Sequence, residues 1–174
     1  MAEFDPVAAL RVLTKHEVEF VVVGGIAARL RGAPLLTEDV DVTPSTSKAN
    51  LVRLAHALEE LEARLRTAHE PDGVPFPFDP GLLESATVWT LATKYGDLDL
   101  VTMPAGTRGY DDIIRDADEL RVAIEPELRV HVASLVDVIR SKEAAGRDKD
   151  RAAMPLLRRT LEESSSSERL ERGT

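Results

Sequence analysis

The stretch "VVVGGIAARLRGAPLLTEDVDVTP", Val21 to Pro44, decides the fold. It opens as a β-branched apolar run, the composition of a buried strand, and stops on Gly24-Gly25. Ile26 to Arg31 then reads as a short helix, closed by Gly32 and Pro34. In the strand that follows, Asp39 and Asp41 alternate with Val40 and Val42, and Pro44 ends it. Successive side chains of a strand point to opposite faces, so the two aspartates share one face and the two valines the other. Carboxylates so placed repel each other, and burying them without a partner is costly. A divalent cation that prefers hard oxygen ligands, Mg²⁺ or Mn²⁺, removes that cost.

A second stretch repeats the pattern. Thr87 to Thr93 and Leu98 to Thr102 read as strands of a hairpin, with Lys94 to Asp97 as the turn. In "GDLDLV", Gly96 to Val101, Asp97 and Asp99 share a face while Leu98 and Leu100 share the other. Three carboxylates on neighbouring strands, Asp39, Asp41 and Asp99, suit two metal ions. Such a pair stabilises both the attacking and the leaving oxygen of an in-line phosphoryl displacement. Gly24-Gly25 is the complement, because a glycine pair between strand and helix lets a phosphate approach the backbone. It is neither a dinucleotide fingerprint nor a P-loop, since neither G-x-G-x-x-G nor G-K-[ST] occurs.

The rest of the chain supplies the frame. Asp5-Pro6 starts a short amphipathic helix that ends near Lys15. Ser45 to Ser47 offer caps for a long helix with Leu51, Leu54, Leu58, Leu61 and Leu65 at helical spacing. His69 to Gly81 holds four prolines and two glycines, a loop long enough to suggest a lid or a mobile segment. Tyr110 to Leu120 is expected to be helical, and Arg121 to Ile124 and Arg129 to Val132 to be strands. Ser134 caps a helix with Asp137 as its partner three residues on, and Gly146 interrupts it. A further helix is expected from Asp148 to about Glu163, with a kink at Pro155. The polar tail beyond, residues 164–174, is expected to be disordered.

Bulk properties narrow the function. The 174 residues contain no cysteine, which excludes disulfides and thiolate metal sites. No run of 18 apolar residues occurs, and the N-terminus lacks the basic start of a signal peptide, so a cytoplasmic protein with no membrane partner is expected. A net charge of −9 argues against a general nucleic-acid coat protein. The charge is uneven, however. From Ile139 to Thr160 seven basic residues stand against three acidic ones, which suits a compact anionic ligand, although the count alone fits a solvated helix face with ordinary charge pairing better. His16, His56, His69 and His131 have no metal-like spacing.

Strand, Gly-Gly, short helix, Asp-x-Asp in the next strand and a third Asp in a later one resembles the nucleotidyltransferase superfamily of the DNA polymerase β type. With the later "ASLVDVIRSKEAAGRDKD" it resembles, more narrowly, the minimal AbiEii-type (toxin-like) nucleotidyltransferases, over about Val18 to Leu157. The resemblance implies an α+β nucleotidyltransferase fold: a small mixed β-sheet flanked by helices, with a C-terminal helical segment. It implies a catalytic core over 1–132 and helices over 133–163 that complete the nucleotide cleft. Asp39 and Asp41 would be paired metal ligands, and Asp99 the third carboxylate, as ligand or general base. Gly24 and Gly25 would hold the triphosphate, with Thr37 beside them. Lys142 would contact the phosphates, and Arg147, Lys149 and Asp150 would line the same cleft, Asp150 orienting a basic residue.

The implied activity is Mg²⁺- or Mn²⁺-dependent transfer of an NMP from an NTP to a hydroxyl. The acceptor would be RNA such as tRNA, or protein, with the chain as the toxin of a toxin–antitoxin pair and a cognate antitoxin as partner. The alternatives are an antibiotic nucleotidyltransferase of aminoglycoside or lincosamide type, or a nucleotide-binding module that has lost catalysis. Three departures bear on the substrate: Ile26 stands where the superfamily has Ser or Thr, Leu35 where relatives often carry Arg, and Ala153 where an Asp is expected.

Overall fold

The computed structural model describes residues 3–172. Helix α1 (Pro6–Lys15) begins as its sequence dictates, with the Asp5 carboxylate accepting from the Ala8 N–H at 2.9 Å. Strand β1 (Phe20–Val23) is buried along its whole length and runs directly into α2 (Gly24–Leu30), so the glycine pair forms the first turn of the helix. Strand β2 (Asp39–Pro44) is followed by α3 (Lys48–Glu60), capped by Ser47. A two-residue strand β3 (Arg64–Leu65) and a short helix α4 (Pro80–Glu84) precede the hairpin β4 (Val88–Thr93) and β5 (Gly96–Val101). Next come α5 (Tyr110–Ile113), a single 3₁₀ turn, and the hairpin β6 (Asp118–Ala123) and β7 (Leu128–Val132). Helices α6 (Leu135–Ala145) and α7 (Asp148–Arg172) close the described chain.

The seven strands form one mixed sheet in the order β3-β4-β5-β2-β1-β7-β6. The pairing that matters for the site is β2 with β5, in parallel, with Asp39 opposite Asp97 and Asp41 opposite Asp99. The apolar alternates Val40, Val42, Leu98 and Leu100 are buried in the core, each at most 1% exposed. One face of two adjacent strands is therefore oil and the other is carboxylate. Burial of the first fixes the register of the second, because a one-residue slip would exchange them.

Three expectations are corrected. Tyr110–Leu120 is not one helix: α5 and the 3₁₀ turn end at Asp116, and from Asp118 the chain pairs as β6 with β7. Of the tail expected to be disordered over 164–174, the part through Arg172 continues α7, within which Pro155 also lies, and 173–174 fall outside the described residues. Here the serine hydroxyls are satisfied within the helix, Ser166 Oγ donating to the Glu162 carbonyl and Ser167 Oγ to that of Glu163. The proline-rich segment does not lie over the carboxylate face. Phe76 stacks on Trp89 at 5.7 Å, Phe78 packs edge-on to Phe76, and the Val74 N–H bonds the Leu65 carbonyl. Trp89 alternates with Thr90, the partner of Asp99, so the segment is pinned to the sheet face opposite the aspartates.

Candidate functional site

The carboxylate face opens into a cleft of about 860 Å³. Asp39, Asp41 and Asp99 each bring a carboxylate oxygen into it, all within 4.8 Å of one another. The parallel register of β2 and β5 makes this convergence unavoidable: Asp41 and Asp99 are direct neighbours across the ladder. The electrostatic consequence is large. Burial first, then the charges of Asp39 and Asp99, push the Asp41 carboxyl up to about 7, against the opposing pull of Lys142 and Lys149. Burial and Asp39 likewise raise Asp99. Asp99 Oδ1 is buried with no hydrogen-bond partner. An oxygen-only donor set, mutually repelling and with an orphaned buried oxygen, fits a hard divalent cation.

The glycines contribute space as well as backbone. Gly24 has φ +62°, and a Cβ there would sit 2.2 Å from Asp41 Oδ2. At Gly25 a Cβ would meet Thr37 Cβ and Oγ1 at 3.0 Å. Each glycine therefore admits one polar side chain, Asp41 of β2 or Thr37 just before it, and the Thr37 hydroxyl in turn donates to Asp39 Oδ1 at 2.8 Å. Gly24→Ala is expected to lower stability by roughly 2–3 kcal/mol, from the left-handed backbone and the displaced Asp41. The same variant should lose stabilisation by Mg²⁺. Urea unfolding with and without the ion measures both, and an unchanged Mg²⁺ response would show that Asp41 is not held by this contact.

The opposite wall comes from α6 and α7. The αL residue Gly146 ends α6, and α7 starts two residues later, so the two helices fold onto each other. Lys142 and Lys149 therefore reach one cleft from two helices, not from one helix face. Asp150, wholly buried, joins them: Lys142 Nζ donates to Oδ1 at 3.0 Å and Arg147 Nε to Oδ2 at 2.6 Å. Burial alone would raise the Asp150 carboxyl, but the bonds from Arg147 and Lys142 outweigh it and hold it below the usual carboxylate range. Lys142, Arg147 and Lys149 line the cleft, and Asp150 stands behind them. Helix α6 is anchored from below by Arg140, which bonds Asp137 at 2.8 Å and Asp112 at 3.0 Å.

The structure thus brings together Gly24, Gly25, Thr37, Asp39, Asp41, Asp99, Lys142, Arg147 and Lys149 around one space. The sequence reading missed Arg66 there, whose guanidinium pairs with Asp97. Its placement depends on β3, and a two-residue strand has no period to detect. Of the departures, Ile26 is buried in α2, while Leu35 and Ala153 line the cleft.

No protein-family model matches the chain, and no curated protein matches it by sequence. Solved structures do. The lincomycin-bound lincosamide antibiotic adenylyltransferase LnuA is similar over 90% of this chain and 98% of its own, with a TM-score of 0.58 at 12% identity. ANT(2″)-Ia in complex with adenylyl-2″-tobramycin is similar over 88% of this chain and 85% of its own, with a TM-score of 0.53 at 14% identity. The solution structure of the antibiotic-resistance factor ANT(2″)-Ia is similar over 95% and 89%, with a TM-score of 0.52 at 14% identity. The chain has the nucleotidyltransferase fold. No described helix is long and apolar enough to cross a membrane.

Proposed function

We propose that the protein is a metal-dependent nucleotidyltransferase that moves an NMP from an NTP to a hydroxyl. The observation that carries this is the facing of two walls across one cleft: three converging carboxylates and, opposite them, Lys142, Arg147 and Lys149. Asp39, Asp41 and Asp99 would hold Mg²⁺ or Mn²⁺. When bound, the metal neutralises the triphosphate and activates the attacking oxygen. The Gly24 and Gly25 backbone gives the triphosphate close approach, and Lys142 and Arg147 balance its charge from α6 and α7. In the transfer, the acceptor oxygen bonds to the α-phosphorus and the bond to the bridging oxygen of the β-phosphate breaks. Pyrophosphate leaves with that electron pair, and Asp99 would take the hydroxyl proton.

For the acceptor, a small hydroxyl compound is favoured over RNA. An RNA end would call on the basic C-terminal segment outside the cleft, where each of its α7 arginines faces an acid on the exposed surface. Arg151 pairs with Asp148, Arg158 with Glu143 and Arg159 with Glu163. Little uncompensated charge remains for a polyanion. The toxin-like reading, with a tRNA or protein acceptor and an antitoxin, is second and rests on the family resemblance of the two sequence stretches. A nucleotide-binding module without catalysis is disfavoured by the complete triad.

The deciding assay incubates the chain with each α-³²P-NTP and Mg²⁺, together with total RNA, with the protein alone, or with lincomycin and tobramycin. Label on a small molecule supports the first reading, and label on RNA or protein the second. Bound nucleotide with no transfer under any condition would overturn both and leave the binding module.

A further inference from the structure

On the side of the cleft away from α6 and α7, the floor is the face of β4 and β5 that carries the aspartates. Pairing sets Val88 beside Val101, Thr90 beside Asp99 and Ala92 beside Asp97. A shelf therefore starts at the reactive carboxylates and has an apolar end, Val88 and Val101, and a charged end, Asp97. Leu36 stands fully exposed at the rim, and Val88 is 52% exposed. Neither finds cover within the described chain. At the charged end, Arg66 leaves β3 with its N–H bonded to the Thr90 carbonyl at 2.9 Å and its NH1 bonded to Asp97 Oδ2. Among the described residues, no other hydrogen bond is made by this guanidinium, which lines the cleft and is 31% exposed.

The charges around the shelf are unequal in what they have left to offer. Of the carboxylates lining the cleft, Asp39, Asp41 and Asp99 form the triad, and Asp137 is bonded by Ser134 and Arg140. Asp97 is taken by Arg66, which leaves Glu38. A polycationic acceptor would meet one unengaged carboxylate and a guanidinium of its own sign. A carboxylate or phosphate on the acceptor would instead meet a guanidinium that Asp97 already holds in place, with N–H groups to spare.

We propose that Arg66, oriented by Asp97, determines acceptor specificity. It selects hydroxyl compounds that carry an anionic group next to the reactive hydroxyl and an apolar remainder that lies on Val88 and Val101, and it rejects polyamines. This deepens the nucleotidyl-transfer reading and rests on it. The transfer is the one written above, with the acceptor anion spectating on Arg66 while its neighbouring hydroxyl oxygen attacks.

Three size-matched probes test it: N-octanoylserine, its uncharged primary amide, and the analogue with an aminomethyl group in place of the carboxylate. Transfer from α-³²P-NTP is measured for each, and Mg²⁺–NTP binding is followed separately by equilibrium dialysis. The wild-type chain should prefer anion to amide to cation, with kcat/KM about 10- to 100-fold higher for the anion than for the amide. Arg66→Gln should bring anion and amide together, and Arg66→Glu should favour the cation, both with nucleotide binding intact. A wild-type preference for the cation, or an unchanged order in Arg66→Glu, overturns the proposal. So does bound nucleotide with no label on any probe, which leaves the nucleotide site standing. Failure to bind Mg²⁺–NTP at all would instead remove the nucleotidyltransferase reading beneath it.

Discussion

Asp41→Asn is expected to abolish nucleotidyl transfer and, in the same molecule, to stabilise the metal-free fold at neutral pH. The two effects have one cause. Oxygens of Asp39, Asp41 and Asp99 converge within 4.8 Å, and without a cation that crowding opposes folding. Burial, followed by the neighbouring carboxylates, lifts Asp41 from its ordinary 3.8 to about 7. The folded chain therefore keeps a proton that the unfolded chain has lost between these values. Stability falls as pH rises through that window, and above about 7 Asp41 is charged and its full penalty is felt. Asparagine keeps the shape and removes the charge. At pH 8 in EDTA its gain should be on the order of 2 kcal/mol, or several degrees in Tm. Mg²⁺ should raise the wild-type Tm at pH 8, and less at pH 6, where protons compete for the same oxygens. In the asparagine variant that rise should vanish and transfer should drop by about a thousandfold or more. Scanning calorimetry at both pH values decides it. A variant that melts below wild type in EDTA, or one that still responds to Mg²⁺, would place the metal elsewhere.

Where function and folding impose the same period, the sequence was legible. Asp39, Asp41, Asp97 and Asp99 alternate with residues that must be buried, so the pattern that marks two strands also marks their polar face. Gly24-Gly25 stood out because the pair ends a strand-like apolar run directly before a short helix and an Asp-x-Asp strand. The structure sharpens its reason: the missing Cβ atoms admit Asp41 and Thr37, a constraint that no local pattern encodes. Elements held by partners distant in sequence were not legible. Leu120 belongs to β6 because it pairs with Val130, although its local spacing reads as helix. The proline-rich loop reads as a lid or a mobile segment because its length is visible in the sequence and the stacking of Phe76 on Trp89 is not. Arg66 carries no motif at all, and its place in the cleft follows from a two-residue strand pairing with β4. The basic segment was counted correctly, but a count cannot tell that Arg151, Arg158 and Arg159 each face an acid.

Asp150→Ala should produce the largest loss among residues that do not touch the metals. Asp150 ties the start of α7 to Lys142 of α6 and to Arg147 at the junction, and it is fully buried. Its removal leaves two cations side by side at the helix junction, with Lys142 only 17% exposed and without a counterion. Breaking a buried pair from one side typically costs about 3–5 kcal/mol, and because Arg147 is half-exposed the lower end is expected here. Its native carboxyl is held below the usual value, so this stabilisation is present at neutral pH and is lost as pH falls through the native pKa. Lys142 should then swing away from the triphosphate, raising the nucleotide KM about 10- to 100-fold, with kcat falling as well. Asp150→Asn should recover much of the packing and little of the KM, because a neutral amide does not hold an ammonium in place as a carboxylate does. The control is Leu157→Ala. Leu157 is fully buried in the same helix, and its truncation costs a comparable about 2–5 kcal/mol without touching either cation. Assayed well below both melting temperatures, that variant should keep the wild-type nucleotide KM. An equal rise in KM for Leu157→Ala would mean that Asp150 acts only by holding α7 in place; a rise confined to the Asp150 variants makes it the residue that positions Lys142.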